Sequence, residues 1–114
     1  MIDLEKMSKE HQQLFPLSTA EGQFNKLEEE LCEVSEAFVD CNYEKMYREK
    51  ADVIIVCAGL YRWFPKTAVS VAKGNGLFDS TIAKEVKKKW KVNLSRTWEY
   101  KDGKYHHTNK DGWE

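Results

Sequence analysis

Apolar positions along this chain recur at steps of three and four, the period of helices packed on one side. Asp3 can cap a first helix reaching about Leu14, and Pro16 stops it. Ser18-Thr19-Ala20-Glu21 has the form of a capping box. It opens a second helix that runs to about Cys41, with Asn42 as a left-handed stop. In that helix Phe24, Leu27, Leu31, Val34 and Phe38 fall within about 80° of arc and form a core stripe. A third helix covers roughly Glu44 to Phe64, before Pro65. Its middle, ADVIIVCAGLY, is apolar all round, which marks a central helix. Residues 65–79 contain GNG and read as a loop with one helical turn. Asp79-Ser80 can cap a fourth helix to about Arg96.

The pattern changes after that. TWEYKDGKYHHT sets Asp102-Gly103 between two aromatic-rich arms, a two-residue hairpin signal that pairs Tyr100 with Tyr105 and Trp98 with His107. An isolated hairpin is marginal, so it should pack on the helices or on another subunit. The expected architecture is one all-α domain over residues 1–114. It comprises an antiparallel bundle of about four helices, a core over about 18–96 and a hairpin tail over 97–114.

Composition narrows the partners. A chain of 114 residues suits one domain. Its net charge of −1 gives no global pull toward nucleic acid or an anionic membrane. The longest apolar run, Ala51 to Tyr61, is too short to span a bilayer. The charged N-terminus does not fit a signal peptide. Cys32, Cys41 and Cys57 lack CxxC spacing and read as small buried side chains in a reducing compartment. A cytoplasmic protein without a membrane partner is expected.

The carboxylates carry the chemistry. On the second helix Glu30 falls in angle between Ala37 and Cys41, and Glu33 lies just outside Ala37, while Glu28, Glu29 and Glu36 point away. On the third, Asp52 precedes a nine-residue apolar run and shares a face with Ile55, Val56, Gly59 and Trp63; Glu49 is one turn earlier. A reversal near Asn42-Tyr43 would set Glu33 opposite Asp52, flanked by Glu30 and Glu49. Four carboxylates around one point repel strongly and call for divalent cations. An all-oxygen ligand set favours Mg²⁺ or Mn²⁺ over zinc. The local alternative is pairing at i−4, Glu49 with Lys45 and Asp52 with Arg48.

The fourth helix adds cations. The stripe begun by Ile82 and Val86 continues as Lys89, Asn93 and Arg96. A compact charge, an amide and a guanidinium in line suit a polyphosphate. Lys87, Lys88, Lys89 and Lys91 could equally form a solvated basic helix end.

At these residues the chain resembles the all-α nucleoside triphosphate pyrophosphohydrolase superfamily. That superfamily includes MazG-type enzymes, dimeric dUTPases, dCTP pyrophosphatases and phosphoribosyl-ATP pyrophosphohydrolase. The family pattern E-E-x-x-E then E-x-x-D reads here as Glu29-Glu30-Leu31-Cys32-Glu33 and Glu49-Lys50-Ala51-Asp52. A later K-x-x-x-N-x-x-R segment matches Lys89 to Arg96. The resemblance covers roughly residues 20–98. It implies Mg²⁺ ligands at Glu30, Glu33, Glu49 and Asp52, phosphate contacts at Lys89, Asn93 and Arg96, and Glu29 as an extra acid that orients water or a further metal. It also implies hydrolysis of a nucleoside triphosphate to the monophosphate and pyrophosphate by a metal-activated water, with Glu29 and Glu33 as catalytic acids. A homodimer or homotetramer is implied as well. Within the same chemistry, phosphoribosyl-ATP or a dUTP- or dUDP-type substrate is the alternative. A non-catalytic nucleotide-binding or helix-binding module is a third reading. Base choice stays open among Gln12, Gln13, Phe15, the tail aromatics, His106 and His107.

Overall fold

In a computed structural model, residues 1–108 are described; the part of the expected hairpin tail beyond 108 lies outside them. The order of elements is α1 (Leu4–Leu14), α2 (Ala20–Val39), α3 (Tyr43–Leu60), α4 (Pro65–Gly74), α5 (Ser80–Ser95), β1 (Trp98–Lys101) and β2 (Lys104–His107). The fold is all-α with a small antiparallel hairpin, as the periodicity predicts. The described residues hold five helices rather than about four.

Capping fixes most of the starts. Asp3 accepts from Lys6 N at 3.0 Å, and Asp79 accepts from Thr81 N and Ile82 N. On α2 the cap is Thr19, one residue later than the expected box: its Oγ1 accepts from Gly22 N at 3.0 Å. Asn42 is not the stop of α2. It caps α3 by accepting from Lys45 N, and the left-handed residue is Cys41, with φ 55°. The reversal from α2 to α3 is therefore tighter than the sequence suggests.

The segment expected to be a loop contains α4. Pro65 both ends the chain's approach from α3 and starts the next helix, since its missing N–H costs nothing at a first turn. Ala68 and Ala72, one turn apart, are buried. Gly76 follows at φ 92°, and a Cβ there would collide with Ile82 Cδ1, so the turn into α5 requires glycine.

The centre of the molecule is α3. Every residue from Val53 to Leu60 is buried, with α1, α2, α4 and α5 packed around it. Each fully buried Val, Ile or Leu contributes roughly 1.5–3 kcal/mol, so this helix anchors the fold. The α2 stripe is rotated from the expected one. Leu27, Glu30 and Ala37 are buried, Leu31 and Val34 are half-buried, and Phe24 and Phe38 are exposed. Those two rings make satellite contacts instead, Phe24 with Phe64 and Phe38 with Tyr43. Of the cysteines only Cys57 is buried, and burial pushes its thiol up to about 12; Cys32 and Cys41 are exposed. All three are free.

The hairpin keeps the expected register, Trp98 with His107 and Tyr100 with Tyr105. It docks on the corner between α1 and α2. Phe15 meets Trp98 at 4.8 Å and Tyr105 at 5.0 Å, edge to face, and the Tyr105 hydroxyl accepts from Leu17 N at 2.8 Å. No helix among the described residues is long and apolar enough to cross a membrane.

Candidate metal centre

Three of the four expected acids converge. One carboxylate oxygen each from Glu30, Glu49 and Asp52 lies within 4.8 Å of the others. Glu30 comes from α2, and Glu49 and Asp52 lie one turn apart on α3. The pairing differs from the expected one. Asp52 is the acid whose charge acts most strongly on Glu30, and Glu33 is the neighbour within hydrogen-bond reach of Glu49. Both pairs centre the reversal on residue 41, the left-handed Cys41, instead of between 42 and 43. Glu33 is thus opposite Glu49, and Asp52 is opposite Glu30. Glu33 itself is exposed at the edge of the triplet.

Burial makes this cluster costly. Glu30 is 6% exposed, and Glu49 and Asp52 are half-buried. Two like charges about 4.8 Å apart repel by roughly 3–4 kcal/mol at an effective dielectric of about 20. The titrations respond accordingly. Burial and the Asp52 charge raise the Glu30 carboxyl, against the pull of Lys26. Burial, then the Glu33 contact, then Asp52 and Glu30 push Glu49 up to about 7. Burial also raises Asp52, opposed by Lys89.

Two oxygens are left over. Glu30 Oε2 and Glu49 Oε2 are buried without a hydrogen-bond partner. Native structures rarely leave such atoms unmatched. A hard divalent ion would satisfy both. Ligand oxygens on one Mg²⁺ span at most about 4 Å, since its bonds are about 2.1 Å. The observed spacing is within a small side-chain movement of that span. The residues present fit Mg²⁺ or Mn²⁺ and, lacking nitrogen or sulfur donors, do not suit zinc.

Two lysines meet the acids. Lys26 Nζ is 3.3 Å from Glu30 Oε1 and 3.5 Å from Glu29 Oε2. Lys89 Nζ, from α5, is 2.9 Å from Asp52 Oδ2. The i−4 pairings weighed for the acids do not form: Arg48 instead meets Glu44 at 3.6 Å, and Asp52 takes Lys89. This α5-to-α3 pair joins residues far apart in sequence, which no local spacing reveals.

The other candidates stay outside the triplet. Glu29 is turned to solvent on its Lys26 pair. Asn93 follows Lys89 one turn later on the same α5 face, about 6 Å further along the axis. Arg96, expected on that face too, instead caps the end of α5 in extended conformation because the helix stops at Ser95; both are half-buried. The Asn93 carbonyl accepts from Trp98 Nε1, which ties the end of α5 to the hairpin. His106 and His107 are exposed on β2, and Gln12 and Gln13 lie on α1.

A residue that periodicity did not single out is His11. It is 6% exposed, tilted against Phe15 at 4.8 Å and parallel to Trp90 at 6.0 Å. Burial, then the Arg62 charge, lowers it to about 4. Its signal in the sequence is its place one turn after Met7 and Ser8, and two after Leu4, on the buried side of α1.

No family model, curated protein or solved structure matches this chain.

Proposed function

We propose that this protein is a Mg²⁺-dependent nucleoside triphosphate pyrophosphohydrolase, with Mn²⁺ as an alternative ion. The observation that carries this reading is the convergence of Glu30, Glu49 and Asp52 with two buried carboxylate oxygens that lack partners. Their order in the chain, E-E-x-x-E then E-x-x-D, is the pattern that resembles the all-α pyrophosphohydrolases. Mg²⁺ held there would neutralise phosphate charge and lower the pKa of a bound water.

In this reading water attacks the α-phosphorus, the bond from that phosphorus to the β-phosphate oxygen breaks, and pyrophosphate leaves with the monophosphate as the second product. Glu33, exposed beside Glu49, takes the proton of the water; Glu29, turned to solvent, is not needed for it. Lys89 and Asn93 on one α5 face, with Arg96 just past the end of that helix, bind phosphate oxygens. A nucleotide substrate goes with a cytoplasmic location. The exposed Phe24, Phe38, Val39 and Tyr43 support association into a homodimer or homotetramer.

The test is a Mg²⁺-dependent screen over canonical and modified NTPs and dNTPs, with separate detection of pyrophosphate and orthophosphate. Pyrophosphate is the expected first product from at least one substrate. Asp52→Asn and Glu33→Gln are expected to lose turnover while their circular dichroism stays that of the parent. Orthophosphate as first product, or full activity in both variants, rejects the reading.

A further inference from the structure

We propose that Lys89 is the built-in counter-ion of Asp52 in the acidic cluster, as Lys26 is of Glu30, and that a divalent metal must displace the Lys89 ammonium to bind. This rests on the metal-centre reading above. Lys89 Nζ stands 2.9 Å from Asp52 Oδ2, and Asp52 is one of the three acids whose oxygens come together. The pair is partly shielded, with the Lys89 and Asp52 side chains 24% and 32% exposed.

The placement on α5 is selective. Lys84, Lys87, Lys88 and Lys91 are exposed, whereas Lys89 continues the line of the buried Ile82 and Val86 and is turned inward. An ammonium on a core-facing line is costly without a partner, and Asp52 supplies one. The reverse also holds: an unpaired Asp52 would add to the repulsion among the acids.

The match is incomplete. Lys89 meets one oxygen of Asp52, while Glu30 Oε2 and Glu49 Oε2 remain without partners. Glu30 is nine-tenths buried, so solvent does not make up the deficit. A monovalent ammonium on a flexible stem neutralises one acid; a divalent ion among the three would neutralise two and satisfy the orphaned oxygens. Both cations need Asp52, and like charges a few Å apart repel. Lys89 therefore lowers metal affinity in the absence of substrate. Once displaced, its ammonium remains on the same α5 face as Asn93, free to meet an anion.

The experiment measures Mn²⁺ binding to the full chain by electron paramagnetic resonance, without nucleotide. The proteins are the parent, Lys89→Gln, Lys89→Met, Lys89→Arg and, as a control for net charge, Lys88→Gln. Lys89→Gln is expected to bind Mn²⁺ about tenfold more tightly, equivalent to about 1.4 kcal/mol. Lys89→Met provides the same test with the aliphatic stem kept, should the glutamine variant fold poorly. Lys89→Arg and Lys88→Gln are expected to stay within about twofold of the parent. A second readout is the ¹⁵Nζ resonance of Lys89, expected to move on titration with Mg²⁺.

Unchanged or weaker Mn²⁺ binding in both neutral Lys89 variants, while the parent binds, overturns the competition and leaves the metal centre standing. So does a gain in Lys88→Gln equal to that in Lys89→Gln, or a Lys89 resonance that ignores Mg²⁺. If no protein in the set binds Mn²⁺ at millimolar concentration, the metal centre falls and the competition with it.

Discussion

The His11 ring lies against Gly59, so close that a Cβ at Gly59 would stand 2.8 Å from its Cε1 and Nε2. The Gln23 amide oxygen crowds the same spot from α2. The glycine thus lets α1 and α2 bring polar side chains onto the central helix.

Gly59→Ala is expected to destabilise the fold by about 1–3 kcal/mol, the usual range for overpacking. Alanine gains at most about 1 kcal/mol of helix propensity in return. Gln23 is flexible and can move, but the His11 ring is held between Phe15 and Trp90. Urea denaturation of Gly59→Ala, alone and with Gln23→Ala, checks this; the second change should recover only part of the loss.

His11 makes stability depend on pH. Its folded pKa is depressed to about 4, below its ordinary value near 6.5. Between those values the unfolded chain binds more protons, so stability rises with pH across that window. The contribution is complete above about pH 6.5 and is lost as pH falls toward 4, in total on the order of 3 kcal/mol. Urea midpoints from pH 4 to 7 should slope in the parent, and the slope should flatten in His11→Gln.

Glu49→Gln should raise thermal stability without metal and remove any stabilisation by Mg²⁺. Its carboxyl is pushed up to about 7 by burial and its acidic neighbours, so the folded state holds that proton more tightly than the unfolded chain. The charged form therefore weakens the fold as pH rises from about 4.5 through 7, and the amide avoids that loss. Differential scanning fluorimetry at pH 8, with and without millimolar MgCl₂, compares both effects.

Tyr105→Phe is expected to cost about 1 kcal/mol, since Leu17 N loses its acceptor while the Phe15 contact survives. Tyr105→Ala should cost more by removing the ring as well. Thermal melts of the two variants separate the hydroxyl from the stacking.

Much of this architecture is legible in the sequence because its signals are local. Asp3 and Asp79 mark helix starts by side-chain caps, and Asp102-Gly103 fixes the hairpin register. The apolar girth of α3 announces a central helix. The α4 helix was hidden because it is short and its punctuation is ambiguous: Pro65 serves as a stop and a start, and GNG dominates the segment. The rotation of α2 was not legible either. Phe24 and Phe38 are better core residues than Glu30 by composition, yet Glu30 faces α3 and they do not. Only the tertiary neighbours decide that. The Lys89–Asp52 pair lies beyond sequence reasoning for the same reason, because it depends on how α5 meets α3.

Three residues, 40–42, separate α2 from α3, with Cys41 in the left-handed conformation at their centre. That brevity acts as a phase setting. One residue more or fewer would turn α3 by about 100° relative to α2 and scatter the acids, although each of them would still be present in the gene. The chemistry is therefore encoded as much in the length of a connector with no reactive group at the site as in the glutamates and the aspartate.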